Sequence, residues 1–193
     1  MNNQSNIEKL ISSNKHVVTV DDLALIWGIN DRKKLVALIR YYLRAGKIKR
    51  LHKGVYAWGQ YTQLDLAQKL VPFSYISLYT TAQIHGLTFQ VYQTIFSLSL
   101  SSKKLEVEGQ KYEYHKIKQQ AFYHPLGLLD TGQYFMASKE RTICDMLYVY
   151  PKSAFDNLRG IDTKLLQQIA AIYGNKRLIK EVKNIIKQIE REY

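Results

Sequence analysis

Apolar positions along this chain recur with two periods, and the period switches where capping residues, Gly or Pro stand. Ile7, Leu10 and Ile11 form a short helical stripe over residues 5–13, with Ser5 as the cap. Val17 to Val20 is β-branched and predicts a short strand. Asp21 or Asp22 then opens a second helix whose buried candidates are Leu23, Leu25, Ile26 and Trp27, and Gly28-Ile29-Asn30 makes a three-residue turn. Leu35, Leu38, Ile39 and Tyr42 are spaced i, i+3, i+4, i+7, so a third helix, capped by Asn30 or Asp31 and stopped at Gly46, buries one face. Its other face carries Arg32, Lys33, Val36, Ala37, Arg40, Tyr41 and Arg44. Ile48–Leu51 and Val55–Trp58 then alternate with period two around His52-Lys53-Gly54, which predicts a hairpin whose turn uses a positive φ at Gly54.

Residues 59–73 read as a linker helix with a stripe of Asp65, Leu66, Ala67, Leu70 and Val71, ended by Pro72. Beyond it the pattern is mixed. Tyr75–Leu78 is strand-like, and Thr80–Leu87 is a short helix closed by Gly86. Phe89–Leu100 predicts one or two strands, and Lys103–Ile117 two more around Glu108-Gly109-Gln110. Tyr134–Ala137 is another strand, and Ser138 caps a helix that includes 141–148. Asp162 and Thr163 cap a helix over 164–173 closed by Gly174, and a last helix runs from Lys176 to about Glu190 or Glu192 with Ile179, Val182, Ile185, Ile186 and Ile189 inward. No fixed-period repeat stands out. The fold class is α+β.

Charge changes the picture more than composition does. The 193 residues carry a formal net charge of +12, which favours a polyanionic partner, with a membrane surface as the weaker alternative. Residues 1–60 hold eleven Lys/Arg and four Asp/Glu, net +7, against net +5 over 61–193. From Asp31 to Lys53 there are nine Lys/Arg and one acid. A basic helix joined to a basic hairpin tip resembles the recognition helix and wing of a winged helix-turn-helix, and the order helix, strand, helix, turn, helix, hairpin is that of the motif. The plain alternative is a solvated basic helix on an ordinary domain. The polar start MNNQSNIEKL has no apolar h-region and predicts no signal peptide. No apolar run is long enough to cross a bilayer, and a single cysteine, Cys144, allows no intrachain disulfide, so a cytoplasmic location is expected.

Catalytic chemistry is sparse. Glu106, Glu108 and Glu113 form the one carboxylate cluster near predicted strands, and Glu181-Val182-Lys183 lies on a helix, so a metal-dependent nuclease is a minor reading. The histidines at 16, 52, 85, 115 and 124 have no zinc spacing. His52 stands at the hairpin tip as a phosphate or groove contact, and His85, beside a helix-ending Gly, reads as structural. Cys144 lies among apolar residues as a buried thiol, and Asp145 either pairs with a neighbour or caps an adjacent segment. No Gly-rich phosphate loop, catalytic set, metal site or cofactor is expected.

Four segments, in order, resemble the AbiEi family of antitoxins from bacterial abortive-infection systems. They are Leu43–Tyr56 (LRAGKIKRLHKGVY), Tyr75–Thr88 (YISLYTTAQIHGLT), Ala137–Leu147 (ASKERTICDML) and Tyr173–Leu178 (YGNKRL). The resemblance implies a winged-helix domain that binds and represses the operon's own promoter, through inverted repeats, and a C-terminal domain needed for antitoxicity. It implies a cognate nucleotidyltransferase-like toxin, in type IV systems where direct contact is not assumed, and no enzymatic activity in the antitoxin.

Together these readings predict a winged helix-turn-helix over 1–60, a linker helix over 61–73 and an antitoxin-type α+β domain over 74–193 that ends in helices. The expected DNA contacts are Arg32, Lys33, Val36, Ala37, Arg40, Tyr41 and Arg44 in the major groove, with Lys47, Lys49, His52 and Lys53 on phosphates or in the adjacent minor groove. The rival readings are a regulator without an antitoxin role, a DNA-binding nuclease, and an interaction module whose basic face meets an acidic protein.

Overall fold

The structure, a computed structural model, describes residues 5–192. The first four residues of the polar N-terminal reading lie outside them. The chain divides into two compact units after Pro72, and both are mixed in helix and strand.

In the first unit each boundary follows from local chemistry. Helix α1 (Asn6–Ser12) starts at a capping box, in which Ser5 Oγ accepts from Glu8 N and Glu8 accepts from Ser5 N. Strand β1 (Val17–Thr19) leads directly into α2 (Val20–Trp27). The cap of α2 is Thr19, not Asp21 or Asp22. Asp22 is the returning partner of the box and accepts from Thr19 N at 2.9 Å, so Val20 starts the helix and does not extend the strand. Gly28, at φ 66°, ends α2. Leu23 and Trp27 share the buried face, whereas Leu25 is 82% exposed because it lies on the far side of the helix from Leu23. Helix α3 (Arg32–Arg44) is capped by Asp31, and Gly46 takes the left-handed position beyond it. Strands β2 (Lys49–His52) and β3 (Val55–Ala57) form the hairpin, and β1 adds to it in the order β1-β3-β2. Helix α4 (Gln63–Leu70), expected within a linker helix over 61–73, lies in this unit, where Lys69 Nζ meets Asp22 Oδ2 at 2.8 Å.

The core of this unit is Leu10, Val18, Leu23, Trp27, Leu35, Ile39, Ile48 and Tyr56. Burying one such aliphatic side chain is worth about 1.5–3 kcal/mol, and the apolar stripes of α1, α2 and α3 all contribute to this one core. The hairpin is fastened at both ends. Val20 N, an amide of the first turn of α2, donates to Gly54 O at 3.1 Å. Trp58 donates from Nε1 to Lys15 O at 2.6 Å and from its backbone N to His16 O at 3.1 Å, and its ring stacks on His16.

The second unit contains β4 (Tyr75–Ile76), α5 (Leu78–Ile84), β5 (Ile95–Ser99), β6 (Lys103–Val107), β7 (Gln110–Lys116), α6 (Gln119–Phe122), β8 (Leu128–Asp130), β9 (Phe135–Ala137), α7 (Lys139–Val149), α8 (Thr163–Ile172) and α9 (Lys176–Glu192). Its strands form one mixed sheet in the order β6-β7-β5-β4-β9-β8, with β5–β7 and β4–β9 parallel and the other pairs antiparallel. Every residue of β5 is buried, as expected for a strand with both faces covered. The predicted strand over 75–78 is only two residues long, because Leu78 takes a left-handed φ of 58° and starts α5. The span 89–94 has no strand, while β8 and α6 stand where no element was expected.

Helix α7 is the centre of this unit, buried from Glu140 to Leu147. It carries an ion pair inside the core. Arg141 Nε and Asp145 Oδ1 are 3.5 Å apart and both side chains are 0% exposed. Asp145 also accepts from Ser77 Oγ at 2.7 Å, from Tyr75 Oη at 3.1 Å and from Tyr173 Oη. Arg141 donates to Tyr75 Oη and to the carbonyls of Ala121, His124 and Leu126. Those carbonyls belong to the end of α6 and the irregular stretch after it, so one guanidinium satisfies a segment with little ladder of its own. Burial pushes the Asp145 carboxyl up, and Arg141, Tyr173, Ser77 and Tyr75 pull it back.

Candidate nucleic-acid interface

The candidate interface begins with the cap of α3. Asp31 Oδ1 accepts from the backbone N–H of Lys33 at 2.8 Å and of Lys34 at 3.2 Å. That placement satisfies two orphan donors and sets a negative charge at the positive end of the helix. It also occupies the only acid between residues 31 and 53, a stretch that holds nine Lys/Arg. Arg32, Lys33, Arg40, Arg44, Lys47 and Lys53 have no acidic partner among the described residues.

Arg32, Lys33, Ala37, Arg40, Tyr41 and Arg44 are exposed and Val36 is half-buried, so the face opposite Leu35 and Ile39 presents five polar or charged side chains around two small ones. Tyr41, 62% exposed, stands edge-on to Tyr42 at 5.2 Å between ring centroids, and Tyr42 leans on buried Trp27 at 5.4 Å. An outward ring is thus braced by the core. On the hairpin, Lys47, Lys49 and Lys53 are exposed and His52 is half-buried. Lys47 N donates to Tyr42 O at 3.0 Å, which joins the end of α3 to the approach to β2. All eleven expected contact residues therefore lie on α3 or on the hairpin and its approach, two consecutive parts of one compact unit.

One residue escaped the sequence pattern. Strict alternation would set Arg50 on the same side as buried Ile48. The pairing instead runs Arg50↔Tyr56 and then His52↔Val55, so Leu51 forms a bulge. Arg50, the residue before that bulge, is exposed beside Lys49 with its Nε donating to His52 O at 3.4 Å. Basic residues also recur far along the chain. Lys176, Lys180, Lys183, Lys187 and Arg191 are exposed along α9 at spacings of four, three, four and four, opposite its buried Leu178, Val182 and Ile186.

The other candidates have quieter surroundings. Glu113 pairs with Lys104 at 2.8 Å, and Glu106 stands opposite Lys111 across β6–β7. Among the described residues no group of three or more His, Cys, Asp or Glu is placed to hold a metal ion. His85 Nε2 lies 2.8 Å from Ala137 O and ties α5 to β9. Cys144 is fully buried, and burial pushes its thiol well up. Among the described residues no helix is long and apolar enough to cross a membrane.

Comparison with known proteins adds one finding. Residues 6–57 match the family model of AbiEi antitoxin transcriptional regulators, a span that runs from the first residue of α1 to the last of β3. No curated protein matches the chain. The family that the four sequence segments resemble is thus the family whose model is matched within the N-terminal unit.

Proposed function

We propose that the first unit is a winged helix-turn-helix that binds double-stranded DNA, with α3 as the recognition helix and β2–β3 as the wing. The observation that carries this reading is the dense positive charge of α3 and the adjoining hairpin, nine Lys/Arg between residues 31 and 53 against one acid that is held at the helix cap. Arg32, Lys33, Val36, Ala37, Arg40, Tyr41 and Arg44 face the major groove. Arg40 makes the base contact, since bidentate Arg–guanine pairing is the commonest specific one. Lys47, Lys49, His52 and Lys53 hold phosphates or enter the minor groove, and the exposed Arg50 joins them. The row of cations on α9 gives the second unit a surface for polyanions as well.

From the family match and the resemblance, the target is the promoter of the chain's own operon, repressed in the cytoplasm by a non-enzymatic antitoxin. The second unit supplies antitoxicity against a nucleotidyltransferase-like toxin. The test is a mobility-shift titration against the DNA upstream of the gene and a scrambled control at two salt concentrations. Preference for the upstream DNA that persists at the higher salt is expected. Equal and steeply salt-sensitive binding to both would reduce the reading to a basic surface.

A further inference from the structure

The second unit gathers five of its aromatic rings in one place. Tyr79 on α5 has its ring centroid 4.4 Å from Tyr92, 5.2 Å from Tyr150 and 5.4 Å from Phe96. His115 on β7 extends the group at 5.5 Å from Tyr150 and 6.2 Å from Phe96. Each tyrosine hydroxyl is engaged close by. Tyr150 Oη is 3.1 Å from His115 Nε2, Tyr92 Oη donates to Gln90 Oε1 at 2.5 Å, and burial with the neighbouring Tyr92 pushes the Tyr79 hydroxyl up. The group therefore presents mainly ring carbon to its surroundings.

At its edge lies an open cavity of about 420 Å³, lined by Tyr79, Tyr150, Pro151, Lys152 and Ser153. Small-molecule sites run from about 300 to 1,000 Å³, so the size suits a ligand of a few rings or fewer. One wall is a tight turn. Ser153 donates to Tyr150 O from its backbone N at 3.0 Å and from Oγ at 2.8 Å, and Pro151 fixes a backbone angle between them. The turn holds Lys152 at the rim, exposed and with no acidic partner among the described residues.

An apolar aromatic wall beside one uncompensated ammonium suits a flat ring that carries negative charge. A nucleobase joined to phosphate has both features. Tyrosine rings stack any base with little regard to its identity, and an ammonium takes phosphate as a point charge. A cationic ring would meet Lys152 unfavourably. We propose that this cavity is a nucleotide site, with the base packed against Tyr79 and Tyr150 and the phosphate on Lys152. The proposal goes beyond the DNA-binding reading and does not depend on it.

The test is a titration of the full chain with AMP, UMP, adenosine and inorganic phosphate, followed by backbone amide chemical shifts. AMP and UMP are expected to give saturable shifts centred on residues 79 and 150–153. Adenosine is expected to bind about tenfold more weakly and phosphate alone not to reproduce the shifts. Lys152→Ala, at an exposed position, should erase the difference between AMP and adenosine. A 5′-phosphorylated single-stranded tetranucleotide that shifts the same amides at lower concentration identifies a strand end as the source, and weaker binding than AMP identifies the free nucleotide. Absence of saturable shifts at these amides, the same shifts with phosphate alone, or AMP binding unchanged in Lys152→Ala overturns the proposal.

Discussion

The two units put the same chemistry to opposite uses. In the first, arginines and lysines stand in water on α3 and the hairpin, and the one nearby acid, Asp31, is held at a helix cap. In the second, Arg141 and Asp145 are buried together on α7 and every surrounding group is a hydroxyl or a carbonyl aimed at them. Exposed charge costs little to maintain and is available to a partner. Buried charge is expensive to create and is stable only while its whole set of partners is present. The first arrangement suits recognition, whereas the second fixes how distant segments meet.

The sharpest way to break the contrast is to remove half of the buried pair. Asp145→Ala leaves Arg141 uncompensated and should destabilise the second unit by about 3–5 kcal/mol. Both tryptophans, Trp27 and Trp58, lie in the first unit, so near-ultraviolet tyrosine dichroism should lose its transition early while tryptophan fluorescence holds. An Arg141→Met/Asp145→Leu double variant should recover part of the loss. Gly127→Ala should cost about 1–3 kcal/mol by crowding the same centre, since its Cβ would sit 2.7 Å from Ile169 Cδ1 and 2.9 Å from Arg141 Cβ, at a φ of 77°. Equal stability in denaturant would show that this packing yields easily.

On the exposed face the expected effects fall on binding and not on folding. Arg40→Ala should lower discrimination between specific and scrambled DNA by about 1–3 kcal/mol, with an unchanged melting curve. Unchanged affinity and preference would remove α3 from the groove. Lys53→Ala should weaken all sequences alike and flatten the salt slope by about 0.9. The smallest effect concerns acid. Burial alone would raise the Asp22 carboxyl, but Lys69 and Thr19 hold it below the usual carboxylate range. Its contribution is therefore full above the ordinary carboxylate pKa and is lost as pH falls through the lowered value. Asp22→Asn should flatten that acid limb in tryptophan fluorescence, and an identical limb would assign it to other carboxylates.

How far sequence could anticipate these units depended on the distance between interacting residues. The first unit is built from neighbours. Ser5 with Glu8, Asp31 with the next turn, Gly46 and Gly54 are all visible within a few positions. Where local pattern failed there, the departure was small: Arg50 is exposed just before the bulge at Leu51, and α2 starts at Val20. In the second unit the helix caps Ser138 and Asp162 were equally readable. The sheet order was not, because β4 pairs with β9 across some sixty residues and β8 is three residues long. The partners of Asp145 were hidden for the same reason: Ser77 and Tyr75 lie 68 and 70 positions away. The exposure of Arg32, Lys33, Arg40, Tyr41 and Arg44 was readable because it follows directly from helical spacing on α3, whereas the cavity beside Tyr79 draws on segments that spacing does not connect.

The fastenings of the hairpin have a thermodynamic consequence. Gly54 O is held by Val20 N, and Trp58 is locked onto Lys15 and His16, so the hairpin has already lost much of its freedom before any partner arrives. Ordering a mobile loop at an interface is charged against affinity, at about 0.5–1.5 kcal/mol for each rotamer-rich side chain that must be stilled as well. Here the backbone share of that loss falls on folding, and the outer side chains, Lys49, Lys53 and Arg50 among them, are left to be immobilised on association.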